Sequence, residues 1–452
     1  MSMLANDTDF SSLILGSERV CPIKVPHKFY IIVYWLMRKI VMILLCICSI
    51  GVFAAKEDVK KAKQLKADIE AAKSAVKNAT DMEKGDNNAQ KKQQALEKSE
   101  ATMRKYLSEA EYAKRKDLHM LLVDLLRKQF EVGNNKMYLK LKTDTACYMK
   151  TCRRMFLAIE TLDSVDAAPN EKGVSDPSYR KRHSEFLAPR RVNLLNGGVY
   201  FLTHKQWDEA WNSLDVYLDV RRQPLFDADM LDSSKDTLAS YLALVAAYNL
   251  NDIVKARKYS AEAVHYTSRR EEALRMLSDM TFENKDTSEY IKYIKEGFKD
   301  YPRSEYFFPR LIDYYTERGD YATSEKYADE ALKVDSLKEL FLLAKHSVLM
   351  SMEKYDESLV YGNKILQKNE AMPIVNYNIG YIYYLKAQHE LKNRKLVYRA
   401  RMKKSQSYYK KLLPYMERYR KAMPDDRARW YPILYDAYLN LNMGDEFRAL
   451  EK

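Results

Sequence analysis

The residue types that build catalytic centres are scattered through this sequence. None of its seven histidines forms the His-Glu-x-x-His pair that grips zinc from one helix face. His389-Glu390 opens such a motif but lacks the second histidine. No glycine-rich loop ends in Lys and Ser or Thr to cradle a phosphate, and no Gly-x-Ser-x-Gly elbow lifts a serine out of a turn. Asp227, Asp229, Asp232 and Asp236 are spaced somewhat like a calcium loop, but its glycine and terminal glutamate are missing, so a solvated loop is expected. Catalytic triads are assembled in space rather than in sequence, which leaves an unrecognised enzyme as a distant alternative. The residues themselves support no catalytic, cofactor or metal site.

Charge is the stronger chemical signal. The chain carries a formal +13, and the stretch from Lys386 to Lys421 holds 13 Lys or Arg against only Glu390 and Glu417. Lys386, Lys392, Arg394, Lys395, Arg399, Arg401, Lys403, Lys404, Lys410 and Lys411 form a candidate basic surface, with Tyr398, Tyr408 and Tyr409 between them. Such a surface suits an acidic partner. The alternative is a solvated pair of helices.

The elements that position these residues are helical. The 452 residues include only 12 Gly and 12 Pro, few strand or hairpin signals, and 46% hydrophobic residues, enough for a packed core. Ala256-Arg-Lys-Tyr, Tyr290-Ile-Lys-Tyr, Ser324-Glu-Lys-Tyr and Ser358-Leu-Val-Tyr each open the body of a helix, and each lies 34 residues from the next. Gly319-Asp320-Tyr321 and Glu353-Lys354-Tyr355 fit the turn between two helices, Ala263 and Ala331 a second small slot, and Pro302 a repeat end. This period and these signatures resemble the tetratricopeptide repeat, whose helical hairpins stack into a solenoid. The expected fold is therefore all-α, an α-solenoid preceded by an irregular helical region.

The resemblance gives the array its register. Repeats are expected at 191–224, 237–270, 271–304, 305–338 and 339–372, then at 373–426 with a basic helical insertion at about 386–405, and a capping helix at 427–452. Gly198 and Ala210 mark the first repeat. The interval from Ala210 to Ala256 is 46, which puts extra residues in the Pro- and Asp-containing loop Gln223 to Asp236. Gly380 keeps the register, whereas Leu412 lies 54 residues beyond Ser358, so twenty residues separate the helices of one hairpin more widely than the repeat requires. Divided between two helices, that is a spur roughly 15 Å long at ~1.5 Å per residue. In tetratricopeptide arrays the first helix of each repeat lines the concave groove. Carried over by register, this implies Tyr241, Tyr248, Tyr306, Asp313, Tyr377, Tyr381 and Tyr384 as candidate groove contacts for a protein or peptide. The alternative is that these rings pack between repeats.

Before the array, Met37-Arg38-Lys39, the apolar run Ile40 to Ile50 and Gly51 to Ala55 have the three parts of a secretory signal, with cleavage expected after Ala54. Asp7, Asp9 and Glu18 fit no such leader, so residues 1–36 read as an upstream extension and Met37 as the start. The alternative is an uncleaved anchor from Phe29 to Ala55, in which Arg38 and Lys39 would each cost roughly 2.5–3.5 kcal/mol. Bulky Leu45 and Ile47 before Cys46 and Cys48 argue against lipidation. Residues 55–117 read as a charged helical hairpin interrupted at Gly85-Asp86-Asn87-Asn88, and 118–190 as a helical pre-repeat region with a stripe of Leu121, Leu122, Leu125, Leu126 and Phe130. Cys147 and Cys152 lie about 140° apart around a predicted helix, too far apart to bridge each other; buried thiols, or a contact through one of them, are expected. Gly133-Asn-Asn-Lys-Met-Tyr-Leu139, Asp144-Thr-Ala, Asp163-Ser164 and Pro169-Asn-Glu-Lys-Gly173 resemble the leading segment of exported tetratricopeptide proteins of Gram-negative bacteria, mostly without an assigned role.

The resulting expectation is a noncatalytic scaffold, periplasmic or facing the periplasm, that binds a protein or peptide. The alternative is a membrane-surface or polyanion-binding module, glycans included, working through residues 386–421. Nucleic acid is disfavoured as a partner by that location.

Overall fold

The computed structural model describes residues 27–79 and 89–450, all helices and turns with no strand among them. The expected interruption at Gly85 to Asn88 lies outside the described residues. The chain divides into two compact units, residues 1–132 and 133–452. In the first, α1 (His27–Asn78) packs on α2 (Ala89–Ser108), with Leu65, Ala72, Leu96 and Met103 buried and Tyr106 Oη donating to Asp68 Oδ2 at 2.8 Å. The stripe on α3 (Lys116–Tyr138) is buried, and Gln129 Nε2 donates to Glu100 Oε2 at 2.9 Å. No helix among the described residues is long and apolar enough to cross a membrane.

The second unit starts within the end of α3, at Gly133, and continues with α4 (Thr145–Asp166) and the short α5 (Arg180–Leu187). Cys152 on α4 is fully buried, which pushes its thiol up to about 12; Cys147 is half-buried, and both are free. Paired helices follow: α6 (Arg191–Thr203) with α7 (Trp207–Asp219), α8 (Asp236–Asn249) with α9 (Ile253–Ala263), and α10 (Arg270–Glu283) with α11 (Thr287–Asp300). The series continues with α12 (Phe307–Thr316) and α13 (Tyr321–Val334), α14 (Glu339–Ser351) and α15 (Tyr355–Leu366), then α16 (Pro373–Lys392) and α17 (Tyr398–Ala422). Each helix packs on its predecessor, producing an α-solenoid of hairpins with the tetratricopeptide period.

The turn inside each hairpin shows why the period is strict. Asn251, Lys285, Gly319 and Glu353, spaced 34 apart, all adopt left-handed backbone at φ 53°, 58°, 72° and 58°, and Lys205 does so in the first hairpin. Only Gly319 takes that conformation without a Cβ penalty. The next residue starts the second helix: the carboxylates of Asp252, Asp286 and Asp320 accept from the backbone N–H of Lys255, Glu289 and Thr323. Within the hairpins, one small residue lets the helices approach. A Cβ on Gly198 would lie 2.5 Å from Leu214, and one on Gly380 would lie 2.7 Å from Met416. In α14–α15 the arrangement is reversed: His346 occupies the first-helix position, and the facing Gly362 makes room for its ring. His346 Nδ1 lies 2.8 Å from Ser358 Oγ, and burial keeps the imidazole below its usual range.

Two boundaries differ from the sequence reading. Asp236 is not a solvated loop carboxylate. It is the first residue of α8, buried against Arg191 at 2.8 Å and Arg221 at 3.2 Å. The chain also does not end in one capping helix. Asn442, left-handed at φ 57°, closes α18 (Arg427–Leu441), and α19 (Gly444–Leu450) turns back on it. A left-handed residue cannot continue a right-handed helix, so the apolar pattern from Trp430 to Phe447 belongs to two helices.

Candidate binding groove

The first helices of consecutive repeats lie next to one another, so residues 34 apart can converge. Between α10 and α12 they line a cleft of about 860 Å³. Asp279 and Asp313 occupy equivalent positions in the two repeats, as do Glu283 and Glu317 one turn further on. Phe282, 66% exposed, Tyr290 and Tyr314 supply aromatic wall, with Phe282 and Tyr290 centred 5.2 Å apart and Tyr290 and Tyr314 6.3 Å apart.

The two arginines in the cleft are held by other groups. Arg310 lies over the Tyr306 ring at 3.7 Å and donates to the Tyr306 carbonyl at 3.1 Å. Arg318 repeats this on Tyr314, at 3.7 Å and 2.9 Å. Lys285 extends from the left-handed turn. Among the described residues Glu283, Asp313 and Glu317 make no ion pair, while Asp279 accepts from the Tyr306 hydroxyl. Partial burial, aided by nearby Glu317, holds the Asp313 carboxyl above its ordinary range.

Three of the sequence-selected groove residues meet here. Asp313 lines the cleft, and Tyr306 bonds Asp279. Tyr248, 39% exposed on α8, is pushed up by burial and then by the charges of Asp279 and Glu283. Tyr241 is a correction. It is only 7% exposed and packs within the core against Tyr266, centred 5.4 Å away in the turn between α9 and α10, so its ring fills the joint between repeats instead of the groove. Asp279, Phe282, Glu283 and Glu317 were not selected from sequence, although their 34-residue echo would have revealed the two carboxylate pairs.

Tyr377, Tyr381 and Tyr384 form a separate, half-buried stack on α16. Tyr377 and Tyr381 are centred 5.8 Å apart with nearly parallel planes, and Tyr381 and Tyr384 lie 6.2 Å apart. Tyr419 of α17 covers Tyr377 at 5.0 Å, and Tyr384 Oη donates to Asp436 Oδ2 of α18 at 2.8 Å. These rings join repeats, and part of each remains accessible.

The basic surface divides along the long hairpin. At its base Lys386 pairs with Asp356, and Arg418 with Glu370; Lys411 lies over Tyr408 at 5.6 Å. Lys410 is exposed on the same helix. Toward the loop, Lys404 approaches Glu390 at 3.8 Å, whereas Lys392, Arg394, Lys395, Arg399, Arg401 and Lys403 have no carboxylate partner among the described residues.

No protein-family model matches the sequence, and no curated protein matches it. Among solved structures, the chain is similar to a TPR repeats protein from Bacteroides fragilis, at 19% identity and TM-score 0.30 over 55% of this chain and 98% of that one. It is also similar to pilF of Pseudomonas aeruginosa, at 17% identity and TM-score 0.26 over 52% and 97%. A third likeness is the TPR domain of P58(IPK), at 11% identity and TM-score 0.26 over 77% and 94%. Scores this low leave the argument for the repeat with this chain's own period, turns and packing.

Proposed function

We propose that this chain is a noncatalytic scaffold that holds a partner polypeptide along its first-helix face, with a basic side chain of the partner seated between α10 and α12. The observation that carries this reading is the cleft itself. Among the described residues three carboxylates, Glu283, Asp313 and Glu317, make no ion pair beside exposed Phe282, while the nearby arginines are held on rings and carbonyls. A lysine or arginine of a partner would meet both the charge and the aromatic faces it favours.

The test is a peptide array in which the central residue is Lys, Glu or Leu within otherwise randomised sequence. Lys peptides should be enriched, and Asp313→Asn should weaken them about tenfold, the loss expected of one charge-assisted hydrogen bond. Because the Asp313 carboxyl sits above its ordinary range, it takes up a proton early on acidification, and binding should fade as pH falls into the acid range. No Lys preference, or an Asp313→Asn variant that binds unchanged, overturns the reading. Turnover of any envelope substrate would overturn its noncatalytic part.

The proposal includes export to the periplasm or the periplasmic face of the envelope, supported by the basic, apolar and small-residue segments from Met37 to Ala55. N-terminal sequencing of the protein from its own cells should begin at Ala55; a mature chain retaining residues before Met37 would overturn the start and the cleavage together.

A further inference from the structure

The loop end of the α16–α17 hairpin lies outside the repeat register and combines two features. The first is its charge: six cations, from Lys392 to Lys403, have no carboxylate partner among the described residues, and Glu390, the only acidic residue between Lys386 and Lys404, is engaged by Lys404. The second is apolar. Val397 and Tyr398 are 75% and 67% exposed at the centre of that charge. The turn that presents them is ordered, since Asn393 Oδ1 accepts from the Lys395 N–H at 3.2 Å and the Asn393 carbonyl from the Leu396 N–H at 3.2 Å. Beside them Tyr398, Arg399, Met402, Lys403 and Gln406 line a hollow of about 440 Å³. Arg399 and Lys403 stand one helical turn apart there.

We propose that this hairpin end docks on an anionic phospholipid surface, with Val397 and Tyr398 entering the interface and Arg399 and Lys403 meeting headgroup phosphates. A soluble polyanion would use the cations but would have no use for an exposed valine beside a tyrosine, whereas an amphipathic ring and an aliphatic side chain ringed by Lys and Arg suit the boundary between headgroups and acyl chains. Each cation near an anionic surface contributes roughly fivefold in affinity, and the attraction is screened within a Debye length. The hairpin's base is independently fixed: Gln388 Nε2 donates to the Tyr409 hydroxyl at 2.9 Å, and Gln406 Nε2 to the Asn440 carbonyl at 2.9 Å. Surface changes at the loop end therefore leave the packing of α16, α17 and α18 in place.

The experiment is cosedimentation of the full chain with phosphatidylcholine vesicles, with and without phosphatidylglycerol, and in parallel with heparin. Two variants are compared with the parent, R399Q/K403Q and V397S/Y398S, with helicity checked by circular dichroism. The leader is common to all three, so only the differences are read. R399Q/K403Q should weaken binding to anionic vesicles roughly 25-fold, two fivefold losses, with no such change on neutral vesicles. V397S/Y398S should also weaken anionic-vesicle binding while leaving heparin binding unchanged. If V397S/Y398S binds vesicles as the parent does while heparin competes, the surface takes soluble polyanions and the proposal is overturned. Unchanged binding by both variants, or equal losses on neutral and anionic vesicles, overturns it as well. Peptide capture by the cleft is read separately, so failure of either site does not mask the other.

Discussion

At the α10–α12 cleft the uncompensated charge is acidic and stands on helices of ordinary repeat length, at positions that recur with the period. At the end of α16–α17 it is basic and stands on residues for which the period has no place. The first site is made by stacking: Asp279 and Asp313 line one cleft because each repeat repeats its neighbour's geometry. The second is made by escaping it, since helices of 20 and 25 residues carry their ends past neighbours of 10 to 15. In a solenoid, then, a site can be placed on the shared face or grafted beyond it, and the energetics of the two should separate.

The largest test of that separation is Phe341→Ala. Phe341 is fully buried on α14, edge-on to Phe308 with centroids 4.7 Å apart. Deleting such a ring should cost about 3–5 kcal/mol. Because each repeat contacts mainly its neighbours, the loss should appear as reduced hydrogen-exchange protection in α12 to α15, with basic-peptide binding weakened. Vesicle binding by the hairpin end should persist. Its collapse alongside the peptide binding would mean that the two regions are one cooperative unit.

A smaller effect sharpens what an unanswered, largely buried carboxylate costs. Glu160 on α4 has no hydrogen-bond partner at Oε1, and burial, with the charge of Asp219 on α7, pushes it up to about 8. Asp219 is itself bonded by Gln223 at 2.5 Å. A carboxyl raised on folding favours the folded state below its ordinary range, and that contribution is lost as pH rises through the folded value. Glu160→Gln, neutral throughout, should therefore match the parent near pH 4 and exceed it above pH 8 by roughly 1–3 kcal/mol, after discounting for residual solvent access. Denaturant melts at the two pH values would show it. Equal stabilisation at both would mean that Gln packs better and that the charge is irrelevant.

The parts of this fold visible in sequence were those in which packing dictates residue type. Ala256, Ala263, Ser324, Ala331 and Ser358 are all fully buried where helices cross closely, and small residues recur there in most repeats although Tyr290 takes the place in one; hence their spacing gave the period. The long hairpin was visible for the same reason, because Gly380 kept the register and Leu412 broke it. Less visible were elements set by backbone geometry alone. Asn251, Lys285 and Glu353 hold a left-handed conformation that their side chains do not announce, and Asn442 split a helix whose apolar pattern runs on across the break. The candidate sites were half visible. Choosing tyrosines by register picked Tyr248 and Tyr306, which stand beside the cleft's carboxylates, yet Tyr241 at a comparable place was core, because a large ring on a first helix serves groove or packing equally well. The carboxylate pairs were missed since charged residues on a helix usually face solvent, and only their 34-residue recurrence distinguishes them.

Lys285→Gly joins the turn geometry to the cleft and should have the smallest effect of the three. Lys285 occupies the same turn position as Gly319, at φ 58° against 72°, and its side chain helps line the cleft. Relieving the Cβ conflict should stabilise the hairpin by about 0.5–1 kcal/mol, partly offset by the freer unfolded chain. Removing the cation also leaves Glu283, Asp313 and Glu317 facing a more negative cleft, so a Lys-centred peptide should bind about two- to fivefold more tightly, with the gain shrinking as salt is added. Vesicle binding should not change, because the hairpin end is untouched. The informative alternative is a variant that is more stable yet binds the basic peptide less well. Lys285 would then be a ligand contact in its own right, holding a carboxylate or carbonyl of the partner, and the cleft would read a dipolar backbone rather than a cationic side chain.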